Sequence, residues 1–257
     1  MSVLISCEVG GDQVPSQWVH PKFLRQEPIK ASPTVAAVGS RRKRKPGQLP
    51  PTLTWDQPAR YVAERMTRAL KVPLITNAYS NDLIDVTRSL HHRQLFPTVT
   101  RDWPEADRTA LIETIYEPYR REVRSAIRKG LDRWGYLIHV SIRSFDLKSK
   151  GKPRRADAGL LYDPARDDEV DFCLDWIDEM YEEIPMLRVR RNYPGRGTTD
   201  RLTKAMRTEF ADENYLGIDL MINRAWAARP VAIRDEAIDG ISWTLRTVTE
   251  MDQAEAA

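Results

Sequence analysis

The chain has 257 residues, 41% of them hydrophobic and 30% charged, and its 40 basic and 37 acidic side chains leave a net charge of +3. This is the balance of a globular protein, not of a disordered chain, and the charge excess is too small to point to a nucleic-acid partner. No apolar stretch approaches the roughly 20 residues needed to cross a bilayer. The opening MSVLISCEVGG has no basic segment ahead of its apolar run, so a cytoplasmic protein is expected. Two cysteines, Cys7 and Cys173, are too few for a disulfide framework or a thiolate metal site.

In chain order, the apolar run at 3–7 predicts a buried strand that delivers the loop Glu-Val-Gly-Gly at its carboxyl end. Residues 20–52, rich in proline and charge, predict a long, basic, flexible excursion. Within it SRRKRKPG, at 40–47, reads as a solvated loop, because neither aromatic residues nor a recognition helix accompany its cations. A helix is expected from about Asp56, with Val62, Met66, Ala69 and Leu70 on its inner stripe. A strand over 72–79, a short apolar segment at 83–86 and a long helix over 105–134 follow, and Pro118 is expected to kink or split that helix. Residues 136–142 predict another strand, followed by a second basic segment, KSKGKPRR, at 148–155. Over 168–184, Cys173, Trp176, Ile177, Met180, Tyr181 and Ile184 recur at three-and-four spacing, the stripe of a helix packed on a core. Strands at 187–189 and 215–222, with a helix near 200–209 between them, complete the reading. This alternation predicts one α/β domain over 1–257, with a mixed, largely parallel central sheet flanked by helices and a site beyond the carboxyl ends of the strands.

The segment HVSIRSF at 139–145 carries the main chemical question. A strand there puts His139, Ser141 and Arg143 on one face. An imidazole suits a metal, but a permanently charged guanidinium does not. Cys7 beside His139 would suggest a thiol with an imidazole base, yet Cys7 and Glu8 face opposite ways in a strand, and Cys7 reads as buried and structural.

Several segments together resemble the N-formylglutamate amidohydrolase family: SCEVGG at 6–11, LIDVTRS at 83–89, EPYR at 117–120, HVSIRSF, DAGLLYDP at 157–164, RRNYPGRGTTD at 190–200 and YLGIDLMIN at 215–223. The resemblance implies a fold like that of the zinc carboxypeptidases and a zinc-dependent hydrolysis of short N-acyl amino acids. The departures fall where the metal chemistry is implied. Val9 replaces the histidine of the family's Cys-Glu-His-Gly-Gly, and Arg143 replaces the second histidine of His-x-Ser-x-His-Ser-Phe. Asp219 and Met221 stand where the last strand usually has Glu-x-Glu, and Thr52 where a histidine usually precedes the Trp-Asp pair. Valine and methionine are no substitutes for imidazole or carboxylate at zinc, and arginine cannot deprotonate to become a ligand.

A remnant site of Glu8, Val9, His139, Arg143, Asp219 and Met221 is therefore expected to hold no metal, and no cofactor is expected. The resemblance implies substrate contacts for Arg88, Asn192, Tyr193 and Arg196, with a guanidinium fork suited to a carboxylate. Gly195 stands where the family often has tyrosine. The leading expectation is an amidohydrolase-like protein without the standard zinc site, retaining a pocket for a small carboxylate or N-acyl amino acid. One alternative is an active enzyme with zinc rebuilt on Glu8, Asp12 and His139. Another is a non-enzymatic binding or scaffold protein that uses the basic segments at 40–47 and 148–155. Arg143 is further expected to occupy the metal's place and to pair with Glu8.

Overall fold

The computed structural model describes residues 1–18 and 53–255. The expected excursion at 20–52, with its basic run and Thr52, lies outside them. The apolar run VLISC forms β1 (Val3–Cys7), buried at every position, as a strand covered on both faces must be. Asp56 caps the helix α1 (Gln57–Leu70), accepting from the Ala59 amide at 3.3 Å, and a left-handed Lys71 closes it. The strand expected over 72–79 is shorter, β2 (Leu74–Thr76).

The long helix is interrupted as Pro118 suggests, and the interruption precedes the proline. The helix α2 (Glu105–Leu111) runs into a π turn over Ile112–Tyr116, and α3 (Glu117–Trp134) continues to a left-handed Gly135. Pro118 lacks an amide hydrogen, and the wider turn ahead of it absorbs the missing bond. Next come β3 (Leu137–Phe145), a hairpin of β4 (Lys148–Ser149) and β5 (Lys152–Pro153), and β6 (Ala158–Leu161). The remaining elements are α4 (Asp167–Glu183), β7 (Val189–Arg191), α5 (Leu202–Glu209), β8 (Tyr215–Asn223) and α6 (Val231–Glu255). The basic segment at 148–155 thus carries the β4–β5 hairpin.

Six strands form one sheet in the order β2-β1-β3-β8-β6-β7. The first four are parallel, while β6 runs antiparallel to β8 and parallel to β7. The sheet is therefore mixed and largely parallel, as the sequence predicts. On one face Val140, Ile142, Ile218 and Leu220 pack with α1, α4 and α6 through Met66, Trp176, Ile238 and Leu245. On the other, Leu4, Leu137 and Tyr215 pack with α3 and α5 through Val123, Ile127 and Met206. Period two places His139, Ser141 and Arg143 on this second face, so a row of polar groups runs from the core to the carboxyl ends of the strands. None of the described helices is long and apolar enough to cross a membrane.

Candidate functional site

Glu8 follows β1, and its side chain is fully buried. Three hydroxyls donate to its carboxylate: Ser6 at 2.6 Å and Tyr119 at 3.3 Å to Oε1, and Ser141 at 2.7 Å to Oε2. The ring of His139 lies 2.7 Å from Ser6 Oγ through Nε2 and 2.7 Å from the Tyr215 hydroxyl through Nδ1. The single Ser6 proton is engaged by Glu8, so Nε2 must carry the ring proton and donate to Ser6, and Nδ1 must accept from Tyr215. The order of donation is then Tyr215 to His139 to Ser6 to Glu8. Burial, reinforced by Arg207 and opposed by Asp219, lowers the His139 pKa to about 4, so the imidazole is neutral near pH 7. Burial also pushes the Tyr119 and Tyr215 phenols well up.

Across the ladder, Asp219 and Met221 on β8 stand in register with Ser141 and Arg143 on β3. Asp219 is buried and accepts from Thr203 Oγ1 at 3.3 Å through Oδ1, while Oδ2 has no hydrogen bond. Burial raises its pKa against the pull of Arg201 and Arg143. Arg201, immediately before α5, brings Nη1 to 3.8 Å from Asp219 Oδ2 and 3.7 Å from Met221 Sδ. The sequence reading missed Arg201. It stops one residue short, at the end of RRNYPGRGTTD, and nothing in the local pattern marks the next arginine as reaching β8.

Arg143 is half-buried and makes no ion pair with Glu8. This corrects the expected pairing: hydroxyls already satisfy both Glu8 oxygens, and Arg143 lies further along the strand, near Asp219.

These residues do not fit zinc. Val9 is partly buried against the apolar core, and Arg143 and Met221 offer neither imidazole nor carboxylate. The rebuilt set fares no better, because Asp12 is exposed, both His139 nitrogens are engaged, and no three His, Cys, Asp or Glu side chains gather to hold a metal among the described residues. Cys7 is buried beside the acidic groups Glu8 and Asp56, and its thiol pKa is pushed far up by burial first and by those charges second.

The expected substrate contacts are spread along the rim. Arg88 Nη1 donates to the Asp200 carbonyl at 2.8 Å, and its Nε lies 3.4 Å from Asp85. The loop around it is held by Arg120, which donates to the carbonyls of Val86, Thr87 and Arg88. Asn192 Oδ1 accepts from the amides of Tyr162 and Gly197 and so closes its own loop. Tyr193 packs edge-on against Phe145, with ring centroids 5.7 Å apart. Arg196 is exposed.

Comparison with known proteins places the fold and the family. No curated protein matches the chain. Among solved structures, a gene product of Agrobacterium tumefaciens superimposes with a TM-score of 0.72 at 20% identity, covering 98% of this chain and 92% of the other. An N-formylglutamate amidohydrolase from Ralstonia eutropha gives 0.62 at 17% identity, covering 98% and 94%. At such identities the likeness establishes the fold. The sequence model described as N-formylglutamate amidohydrolase matches residues 43–228, well over half of the 257 residues, and the chain belongs to the N-formylglutamate amidohydrolase family.

Proposed function

We propose that this chain is an amidohydrolase-like protein that has lost the standard zinc site, does not hydrolyse N-formylglutamate, and keeps a pocket for a small carboxylate at the arginine-rich end of its sheet. One observation carries the reading. The side chains at the positions where the family resemblance implies ligands, Val9, Arg143 and Met221, are joined there by a second guanidinium, Arg201, 3.7 Å from Met221 Sδ. Fixed positive charge disfavours a divalent cation and favours an anion. Recruiting Glu8 or His139 to a metal would also dismantle a buried network whose members are already satisfied. The same reading takes the chain as one domain that binds a small carboxylate or N-acyl amino acid in the cytoplasm.

Metal analysis and an N-formylglutamate hydrolysis assay on one purified sample test it. The expected result is zinc far below one equivalent and no turnover above buffer. One equivalent of tightly bound zinc, with turnover abolished by a chelator, would overturn it.

A further inference from the structure

Two arginines flank Met221 near the carboxyl ends of β3 and β8. Arg143 is fixed beside Met221 by the strand register, and Arg201 reaches the same methionine sulfur at 3.7 Å. Neither is satisfied by a carboxylate at hydrogen-bonding distance. Arg143 forms no ion pair among the described residues, and Arg201 approaches Asp219 only to 3.8 Å. Arg201 Nε is buried without a hydrogen bond, and so is the Oδ2 of the almost completely buried Asp219. Buried polar atoms left unpaired in a packed protein call for an explanation, because each costs on the order of a lost hydrogen bond.

The crowding of cations adds to that demand. Burial lowers the Arg201 pKa, and Arg143 and Arg88 lower it further, with Asp219 and Glu8 opposing. Glu8 is already engaged by three hydroxyls, which leaves Asp219 as the counter-charge to Arg143 and Arg201. Space for Arg201 exists because residue 195 is glycine: Nη2 lies 3.2 Å from where a Cβ would stand. A larger side chain there would push the guanidinium away from Met221.

We propose that Arg143 and Arg201 together grip the carboxylate of a small organic acid at the ends of β3 and β8, with Asp219 keeping Arg201 aimed. This rests on the carboxylate reading above and adds a direction to it. The ligand's charged end faces the strand ends, and any amide it carries points away from them. A planar carboxylate suits two guanidinium forks, each giving charge-assisted hydrogen bonds.

Calorimetric titration of the full chain with glutarate, with N-formylglutamate and with inorganic phosphate tests the assignment, using wild type, Arg143→Gln, Arg201→Gln, Arg201→Lys and Arg196→Gln. Near-ultraviolet circular dichroism serves as the check that each variant is folded. The expected result is binding by wild type, at least about tenfold weaker in Arg143→Gln and Arg201→Gln and intermediate in Arg201→Lys. Should Arg201→Gln fail to fold, Arg143→Gln and Arg201→Lys carry the same comparison. Weakening confined to Arg196→Gln would place the carboxylate on the 190–200 loop, overturning this inference while leaving the carboxylate reading intact. Tighter binding of inorganic phosphate than of glutarate would overturn the carboxylate class. Absence of binding by wild type to either acid would overturn both the inference and the reading beneath it.

Discussion

His139 would normally titrate near neutrality, and its burial moves that event into acid. Between pH 6.5, the value for a free imidazole, and about 4, the folded value, the unfolded chain binds more protons than the folded one. The stability that depends on a neutral His139 is therefore complete above about pH 6.5 and is lost as pH falls towards about 4. The shift corresponds to roughly 3 kcal/mol. Urea unfolding at a series of pH values should show this decline, and His139→Gln should flatten it; an equally steep decline in the variant would assign it to other groups. Arg143 leads to the opposite expectation. With no ion pair to Glu8 and a half-buried position, Arg143→Ala should change stability by less than about 1 kcal/mol, whereas breaking a buried pair would cost about 3–5 kcal/mol. At this scale the sequence reveals which residues face the site, because alternation on β3 follows from period two alone. It does not reveal who pairs with whom. Ser6, Tyr119, Ser141 and Tyr215 join Glu8 and His139 only after three strands and a helix have been brought together, and Arg201 approaches Asp219 from a loop with no motif of its own.

Helices with a clean apolar stripe were legible, α1 and α4 above all. The sequence pattern does not mark the helix α6, although Ala237, Ile238, Ile241, Leu245 and Val248 are buried at helical spacing. Gly240 interrupts that stripe and reads locally as a breaker, worth about 1 kcal/mol against a helix relative to alanine. Packing explains it: a Cβ at Gly240 would lie 2.6 Å from Ile184 at the end of α4, so the glycine allows the two helices to approach. The strand β6 escapes the sequence pattern for a different reason, since AGLL is four residues of continuous apolar character with no alternation to count. Between elements, Asp56 has two functions. It caps α1 and also accepts from the Ser144 amide at 3.0 Å and the Ser144 hydroxyl at 2.6 Å, tying the helix start to β3. Asp56→Ala should thus cost about 2–3 kcal/mol, more than a lone cap. Asp56→Asn, which keeps one acceptor, should fall between. A loss no greater than about 1 kcal/mol in chemical denaturation would mean that the Ser144 contacts contribute nothing.

The two helical layers and the sheet between them meet at a single ion pair. β6 pairs with β8 only as far as Leu161 opposite Asp219, so Gly217 lies beyond its reach. Glu169 of α4 accepts from the Gly217 amide at 3.0 Å, and Arg207 of α5 donates to the Gly217 carbonyl, replacing the absent strand. The two side chains also bind each other, with Arg207 Nε at 2.7 and 2.9 Å from the Glu169 oxygens. Arg207 further holds the Gly197 carbonyl at 2.9 Å, and Glu169 accepts from the Asp163 amide at 2.9 Å, so the loops bordering the candidate site hang on the same pair. Glu169 is completely buried and Arg207 nearly so. Removing Arg207 leaves the buried Glu169 with only Arg166, 3.8 Å away, as a counter-charge, and Arg207→Met should destabilise by about 3 kcal/mol. The double variant Arg207→Met/Glu169→Gln should recover part of that loss, because no lone carboxylate is left behind, though the Gly217 and Gly197 carbonyls still lack their donor. Equilibrium denaturation of the two single variants and the double variant measures the coupling between them. Additive losses would show that each side chain acts through its own backbone contacts, and the ion pair would then have no part in joining the layers.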